Sequence, residues 1–406
     1  MTIFITTEEN YILTIQKINI IFHFNNKISL IKTSFLFILI VSMYLLNNKQ
    51  FALFNLKYMM NYNIIKKKYN DKTTIHSHPF LSIIIPIYNV KTKYLLRAFI
   101  SILNQTFNNF EIIVINDFSS EDTKNTIMQL FLEIKNVKII HHNKNLGIYN
   151  SRVDGILNAN GKYILFMDSD DMISNQDLFK IIYFFNLEYN LDIIEFVVLY
   201  ENEGKHNILK PDDHRLSHYH NHKKKIIYQP ELSNILFFEP KNNSYTTIIC
   251  RPIWNKIVRK EIFINTINFI GTNIYFNLAE DTIMNVLNFQ FASNYSNINV
   301  SGYIYNIRKK SITHGNMGKD HEITNCKSVL IYLKSLYKYI KYFKKNRNYL
   351  FYELKEMEYF FLKIKNYQLS YLLLDTKKYF NDILNDVNVS YNLKNLVINF
   401  SMQYTK

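Results

Sequence analysis

Three acidic side chains stand within four residues of one another, directly after an apolar run. They are Asp168, Asp170 and Asp171, and the run KYILFMD (162–168) ends in the first of them. Carboxylates this close repel one another and are costly to bury, so they require solvent or a bound cation. Hard oxygen ligands suit Mg²⁺ or Mn²⁺, which the phosphates of a substrate can help to hold. The pattern therefore indicates a site for a divalent metal and phosphate.

Two earlier apolar runs also end in side chains that can contact a nucleotide. LSIIIPI (81–87) leads into Tyr88, whose ring can stack on a base. FEIIVIN (110–116) leads into Asp117, whose carboxylate can accept a hydrogen bond from a base N–H. Together with the acids after residue 167, these residues favour a nucleotide as the ligand.

A simpler role for the same residues is helix capping. Asp117 or Ser119 can cap the helix that follows the second run, and Asp171 or Ser174 the helix that follows the acidic cluster. Capping explains any one of them. The occurrence of all the acids directly after apolar runs is harder to explain by capping, and it favours a ligand site.

The elements that must position these residues alternate regularly. Strands are predicted at 81–87, 110–116, 137–140 and 162–168, and helices at 94–104, 119–132 and about 147–158. Continuous Ile/Val/Leu strands that alternate with helices predict a parallel sheet covered on both faces. Ligands of such sheets bind beyond the carboxyl ends of the strands. The candidate residues lie at those ends.

The second half of the chain is less regular. A strand at 192–200 leads into a polar stretch, 201–225, that contains His214, His218, His220 and His222. Their spacing can suit a metal, but the surrounding Lys, Asn and Asp favour a solvated loop. Residues 323–395 have the pattern of several amphipathic helices.

One segment near the N-terminus has the length of a membrane anchor. Residues 28–46 are apolar apart from Lys32 and small polar residues, and as a helix they span about 28 Å, close to the thickness of the hydrocarbon layer. A buried core helix or a cleaved signal segment is the alternative. A slight excess of lysines after the segment favours a cytoplasmic catalytic part.

The predicted organisation has five parts. They are an N-terminal segment with the anchor (1–60), a Lys-rich linker (61–79), a half with regular alternation of strands and helices (80–190), a less regular half (191–315), and a C-terminal helical region (316–406).

The chain is strongly basic, with a formal net charge of +15 and a pI of about 9.3. The lysines occur in short scattered runs typical of a solvated surface, which suits anionic lipids or nucleotides and does not favour nucleic acid as a partner. The two cysteines, Cys250 and Cys326, form no CxxC pair.

Three segments together resemble the nucleotide-binding half of the family 2 glycosyltransferases. They are LSIIIPIYN (81–89), ILNQTFNNFEIIVINDFSSED (102–122) and NLGIYNSRVDGILNANGKYILFMDSDD (145–171), in the order and spacing of the family. The sequence departs from the family pattern at Asn116, where a second acid is usual, and at 151–153, where Ala-Arg-Asn is usual. The resemblance implies a GT-A fold, a doubly wound, mostly parallel sheet with helices on both faces. It also implies that 80–190 is the nucleotide-sugar-binding half and 191–315 the acceptor-binding and catalytic-base half.

The resemblance also assigns roles to residues of this first half. The implied contacts of the nucleotide-sugar are Pro86, Tyr88, Asp117, Arg152 and Asp168. Asp170 with Asp168 would form the DxD pair that holds Mn²⁺ or Mg²⁺ against both phosphates. Asp171 would support the turn.

Three segments of the second half resemble later motifs of the family. Trp254-Asn255-Lys256 is similar to a segment of the acceptor half, so Trp254 and Lys256 are acceptor candidates, although a core position is the simpler interpretation of Trp254. Glu280-Asp281 resembles the motif whose Asp is the general base, against a simpler role at a helix N-terminus. In GYIYNIRKKSIT (302–313), Arg308 would contact the diphosphate.

These residues predict a metal-assisted, inverting transfer from a nucleotide-sugar, with UDP-sugar as the expected donor, to a hydroxyl of a glycan, lipid or protein. The metal would stabilise the departing diphosphate, and Asp281 would take the acceptor proton. Two alternatives stay open. A membrane-tethered scaffold would keep the fold without turnover, and a nucleic-acid binder would show salt-dependent binding to random DNA.

Overall fold

A computed structural model gives the structure of residues 62–202, 226–229, 252–277 and 280–308. It also gives the backbone of 205–209, 239–241 and 244–246, and single positions at 232, 328, 331, 335, 338 and 342. The predicted anchor (28–46), the four loop histidines, both cysteines and most of the predicted C-terminal helical region lie outside these residues. Among the described residues, no helix is both long and apolar enough to cross a membrane.

Ten of the twelve described strands form one mixed sheet. The strands are β1 (Leu81–Ile87), β2 (Phe110–Asn116), β3 (Val137–His141), β4 (Tyr163–Phe166), β5 (Met172–Ile173), β6 (Ile193–Asn202), β7 (Lys205–Leu209), β8 (Ile227–Tyr228), β11 (Lys256–Arg259) and β12 (Asn294–Ile307). The central order of the sheet is β3-β2-β1-β4-β11-β6-β12-β5; in addition, β7 pairs with β6 and β8 pairs with β12. A separate hairpin joins β9 (Glu239–Lys241) and β10 (Ser244–Thr246).

The first four strands of the chain confirm the parallel arrangement expected from the sequence. β3, β2, β1 and β4 are all paired in parallel. The expectation of a mostly parallel sheet needs correction beyond β4, because β11 is antiparallel to both β4 and β6. β5, β7 and β8 also run against their partners. The sheet is therefore mixed, and its later strands bring the second half of the chain beside β4.

Helices cover both faces of the sheet, as predicted. On one face, α1 (Thr92–Leu103), α2 (Glu121–Phe131) and α4 (Leu178–Tyr189) share a buried apolar cluster with alternate residues of β1. On the other face, α3 (Gly147–Asn158) packs against β1 and β2, and α5 (Lys260–Ile270) contacts both α3 and α6 (Glu280–Phe291). The candidate site residues of the first half lie at or beyond the ends of the strands between these two layers of helices, or on the helices themselves.

The linker predicted for 61–79 is wrong in its first part, because residues 62–72 are helical. Tyr62 and Tyr69 are each 1% exposed and belong to the main apolar cluster. Lys66 on the same helix forms an ion pair with Glu133. The abundance of lysine concealed an amphipathic helix whose tyrosines lie one above the other on the buried face.

Candidate active site

The ends of β1 and β2 lie side by side, and the residues that follow them are Tyr88 and Asp117. The backbone N–H of Asp117 donates to the carbonyl of Ile87 over 2.9 Å, so the two strand ends are joined. Tyr88 follows immediately and is 53% exposed, which leaves its ring accessible for stacking. Asn89, at φ 49°, accepts from the backbone N–H of Ser120 over 2.8 Å and fixes this loop.

The carboxylate of Asp117 is almost fully buried and accepts three hydrogen bonds. Oδ1 accepts from Nδ1 of His142 over 2.8 Å and from the N–H of Leu146 over 2.7 Å. Oδ2 accepts from the N–H of Gly147 over 2.9 Å. Asp117 thus accepts from backbone N–H groups at the start of α3. The simpler role considered from the sequence was a cap on α2, the helix that directly follows β2. A carboxylate has about four acceptor positions, so one remains on Oδ2 for a base N–H.

The acidic loop after β4 is held by the end of β12. Asp171 is 1% exposed, and its carboxylate accepts from the hydroxyl of Tyr303 and from the N–H of Asn306, each over 2.8 Å. The same hydroxyl accepts from the N–H of Asp168 over 3.1 Å. Asp171 therefore supports the turn, as the sequence suggested, while the side chains of Asp168 and Asp170 stay partly exposed, at 30% and 16%.

Asp170 lies against a cation from the end of β12. Arg308 forms an ion pair with its carboxylate, and the guanidinium also lies 5.2 Å from the ring centroid of Tyr94. Burial raises the pKa of Asp170, and the positive charge of Arg308 opposes this shift. The predicted diphosphate contact and the predicted metal ligand thus lie together.

A buried arginine joins the acidic loop to α6. Arg152, in α3, lies with Nη1 2.5 Å from Oε1 of Glu280 and Nη2 3.5 Å from Oδ1 of Asp168. The side chain of Asp168 is mostly buried, and this burial raises the pKa of Asp168 to about 6. The positive charge of Arg152 opposes the shift. Burial likewise raises the pKa of Glu280 to about 7, with the same opposing attraction.

Asp281 follows Glu280 at the beginning of α6 and is partly exposed. Its Oδ1 accepts from the N–H of Thr282 over 2.8 Å. The negative charge of Asp281 lies close enough to raise the pKa values of Asp168 and Glu280. Two acidic segments more than 100 residues apart in the sequence therefore meet around one arginine.

The sequence and the fold are similar to those of known proteins. Residues 82–266 match the model of Glycosyl transferase family 2. This region of the chain is therefore similar to glycosyltransferase family 2.

Two curated relatives are similar over more than half of the chain. Glycosyltransferase GlyA of Streptococcus pneumoniae serotype 4 is 29% identical over 240 residues, which are 57% of this chain and 31% of that protein. Uncharacterized glycosyltransferase EpsJ of Bacillus subtilis strain 168 is 25% identical over 235 residues, 58% of this chain and 63% of that protein. The chain thus spans less than two thirds of either relative.

A solved structure is similar in fold. The crystal structure of S. aureus TarS 1-349 in complex with UDP has a TM-score of 0.52 and 18% identity, and the match covers 80% of this chain and 87% of that one. At this identity the likeness shows the fold alone, a GT-A-like α/β fold with a mixed sheet.

The two acceptor candidates are buried. Trp254 is 7% exposed and stacks on Tyr303 and Tyr305, with ring centroids 4.5 and 5.4 Å away. Lys256 is 1% exposed, and its Nζ donates to the carbonyl of Pro252 and to Oδ1 of Asn255, over 2.8 and 2.7 Å. We interpret both as structural residues, because neither side chain presents a surface to an acceptor.

The residues of the acidic pair fit the divalent metal predicted from the sequence. The side chains of Asp168 and Asp170 are 30% and 16% exposed and neighbour each other closely enough that the charge of Asp170 raises the pKa of Asp168. No group of three metal-ligating side chains occurs in the described part of the chain. Mg²⁺ commonly uses one or two protein carboxylates together with substrate phosphates and water, so the pair fits that mode of binding.

Sequence reasoning missed two residues that hold the site. Tyr303 binds the acidic loop, and His142 contacts Asp117. Tyr303 lies inside a quoted motif, GYIYNIRKKSIT, but only the pairing of β12 beside β5 brings it to Asp171. His142 follows β3 directly, and its place at a strand end was the available signal.

Proposed function

We propose that this chain transfers a sugar from a nucleotide-sugar, with a UDP-sugar as donor, to an acceptor hydroxyl with inversion at the anomeric carbon. The observation that carries the proposal is the convergence of Asp168 and the Glu280-Asp281 pair on Arg152. Asp168, Glu280 and Asp281 repel one another, and their repulsion lowers the stability of the fold. Such a cluster at a partly exposed position is typical of a functional site and not of a purely structural one.

The donor would lie across the ends of β1, β2 and β4. Tyr88 would stack on the base beside Pro86, and the free acceptor position of Asp117 would receive the base N–H. The TarS structure contains UDP, which supports a uridine nucleotide for a GT-A-like fold. Asp168 would face the ribose, with Arg152 holding its carboxylate.

The leaving group needs positive charge. Asp170, with Asp168, would hold Mn²⁺ or Mg²⁺, which supplies charge neutralisation to a departing diphosphate when it is bound. Arg308, which now pairs with Asp170, would turn its guanidinium to the diphosphate.

The proton of the acceptor hydroxyl would go to Asp281. As the C1–O bond to the phosphate breaks, a bond forms from the acceptor oxygen to the opposite face of C1, and the nucleoside diphosphate leaves with the bonding electrons. A single carboxylate base is sufficient for this displacement, and one displacement inverts the configuration. Glu280 would keep Arg152 in place, since their ion pair is buried.

The acceptor would be a glycan, a lipid or a protein hydroxyl at a membrane. The anchor predicted at 28–46 would tether the enzyme, with the catalytic part on the cytoplasmic side. This part of the proposal is supported by the sequence alone.

The deciding experiment is a screen of nucleotide-sugars for release of nucleoside diphosphate, with Mn²⁺ or Mg²⁺ and with a chelator. Full-length protein in detergent is compared with Asp170→Ala and Asp281→Asn. We expect release from one UDP-sugar, dependent on metal and lost in both variants. Nucleotide binding without release by any donor would favour the scaffold, and release that survives both substitutions would contradict the assigned roles.

A further inference from the structure

We propose that His142 is a positioning residue that holds the carboxylate of Asp117 for the donor base and thereby helps the site to choose uridine. The inference rests on the proposed contact between Asp117 and the base. It concerns a residue to which that proposal gives no role.

The contact between the two residues is direct and buried. Nδ1 of His142 lies 2.8 Å from Oδ1 of Asp117, and the two side chains are 5% and 6% exposed. A carboxylate only accepts, so Nδ1 carries the proton and donates. The other two donors to Asp117 are backbone N–H groups at the start of α3. His142 is therefore the side chain, among the described contacts, that orients this carboxylate.

The imidazole is itself held from the opposite side. Its Nε2 lies 3.0 Å from Oδ2 of Asp154, although this contact lacks the angular geometry of a hydrogen bond. Asp154 belongs to α3 and is 38% exposed. The ring therefore lies between two carboxylates, one at the end of β2 and one on α3, and cannot rotate without losing its contact with Asp117.

The fixed position of the Asp117 carboxylate affects which base it can bind. Uracil presents an N–H at position 3, which can donate to the free acceptor position on Asp117, whereas cytosine presents a lone pair there. An ionised, fixed carboxylate attracts the first and repels the second. If the carboxylate loses its donor from His142, it can rotate about its side-chain torsions, and it discriminates less well between the two bases.

The test measures base choice directly, by titration calorimetry of UDP and CDP with Mg²⁺ on the full-length protein in detergent. His142→Ala removes the donor. His142→Asn returns an N–H at the position of Nδ1. His141→Ala is the matched control, because this neighbouring ring contacts Asn116 and not Asp117.

We expect His142→Ala to reduce the preference for UDP over CDP by about tenfold, the loss of one charge-assisted hydrogen bond. His142→Asn should recover most of the preference, and His141→Ala should keep it. A merely structural role would lower the thermal midpoint of His142→Ala without changing the ratio of the two affinities.

Two different failures can be told apart. If the wild type prefers UDP and His142→Ala keeps that preference, the positioning role is overturned and the proposed function stands. If the wild type does not discriminate and Asp117→Asn binds UDP normally, the base contact of the proposed function is overturned, and the role of His142 with it.

Discussion

The indole ring of Trp254 stacks on the phenol ring of Tyr303, with centroids 4.5 Å apart and an angle of 19° between the planes. The hydroxyl of Tyr303 reaches in the other direction, to Asp171 and to the backbone of Asp168. The aromatic core of the second half of the chain is thereby connected to the acidic loop of the first. Because its ring is packed against Trp254 in the core, Tyr303 holds the acidic loop in a fixed position.

Tyr303→Phe should loosen the acidic loop while keeping the aromatic stack. The substitution leaves the buried carboxylate of Asp171 without one donor, which costs about 1–3 kcal/mol of stability. We expect a lower affinity for UDP with Mn²⁺, measured by calorimetry, because Asp168 and Asp170 lose their fixed geometry.

Tyr163→Phe is the matched control for this prediction. Its hydroxyl also makes two buried contacts, to Asn186 and to the carbonyl of Leu191, over 3.0 and 2.7 Å, but at the opposite end of β4. It should lose stability and keep UDP affinity. An equal loss of affinity in both variants would show that the effect comes from general destabilisation.

The sequence predicted the first four strands well, because buried parallel strands are continuous apolar runs. β1 and β2 have the expected bounds, β3 differs by one residue, and β4 (Tyr163–Phe166) is shorter than the predicted 162–168. The same local pattern says nothing about direction when a later strand joins the sheet. β11 is four residues long and antiparallel, and its neighbours are set by contacts with β4 and β6 that lie far away in sequence.

The candidate site shows the same limit. Arg152, Asp168 and Asp281 could be chosen from sequence because they stand in motifs of a known family. The pairing of Arg152 with Glu280 spans 128 residues, and the packing of α5 against both α3 and α6 brings the two residues together. Lys256 was chosen from the sequence as an acceptor candidate, but it is buried beside Asn255. Its burial depends on the pairing of β11 with β6, which the local sequence does not reveal.

Lowering the pH should stabilise the donor-free protein through Glu280 and Asp168. Burial raises their pKa values to about 7 and about 6, from the ordinary 4.5 and 3.8. Between the ordinary and the raised values, the folded protein holds protons that the unfolded chain has released. The free energy of unfolding therefore falls as the pH rises from about 4 to about 7.

Urea denaturation at several pH values measures this dependence. In Glu280→Gln, which cannot ionise, the decline in the free energy of unfolding between pH 5 and 7 should be shallower than in the wild type. A parallel pH dependence in the two proteins would show that Glu280 does not titrate in this range.

Arg152→Lys should reduce kcat/KM by roughly ten- to a hundredfold, the loss of one charge-assisted contact. A lysine ammonium cannot reach Glu280 and Asp168 together, as the two nitrogens of the guanidinium do. Arg259→Lys is the control, because Arg259 pairs with Asp192 beside the start of β4, at the end of that strand opposite Asp168. Initial rates with the donor found in the screen measure both, and equal losses would contradict a special role for Arg152.

Gly147 is the residue of α3 whose backbone requires glycine. Its φ is +86°, and a Cβ there would lie 2.3 Å from Oδ1 of Asn277, which accepts from the N–H of Ile148 over 2.8 Å. Gly147→Ala should therefore destabilise the fold by about 2–4 kcal/mol, from backbone strain and from the collision. It should also weaken UDP binding, because the N–H of Gly147 donates to Asp117.

A double-mutant cycle with Asn277→Ala separates the two causes. Removal of the Asn277 side chain relieves the collision and leaves the strain of the positive φ, so Gly147→Ala should cost about 1–2 kcal/mol in that background. Urea denaturation of the four proteins measures the coupling. If Gly147→Ala costs the same with and without the Asn277 side chain, backbone strain accounts for the whole effect, and the close packing of 271–277 on α3 contributes nothing to the requirement for glycine.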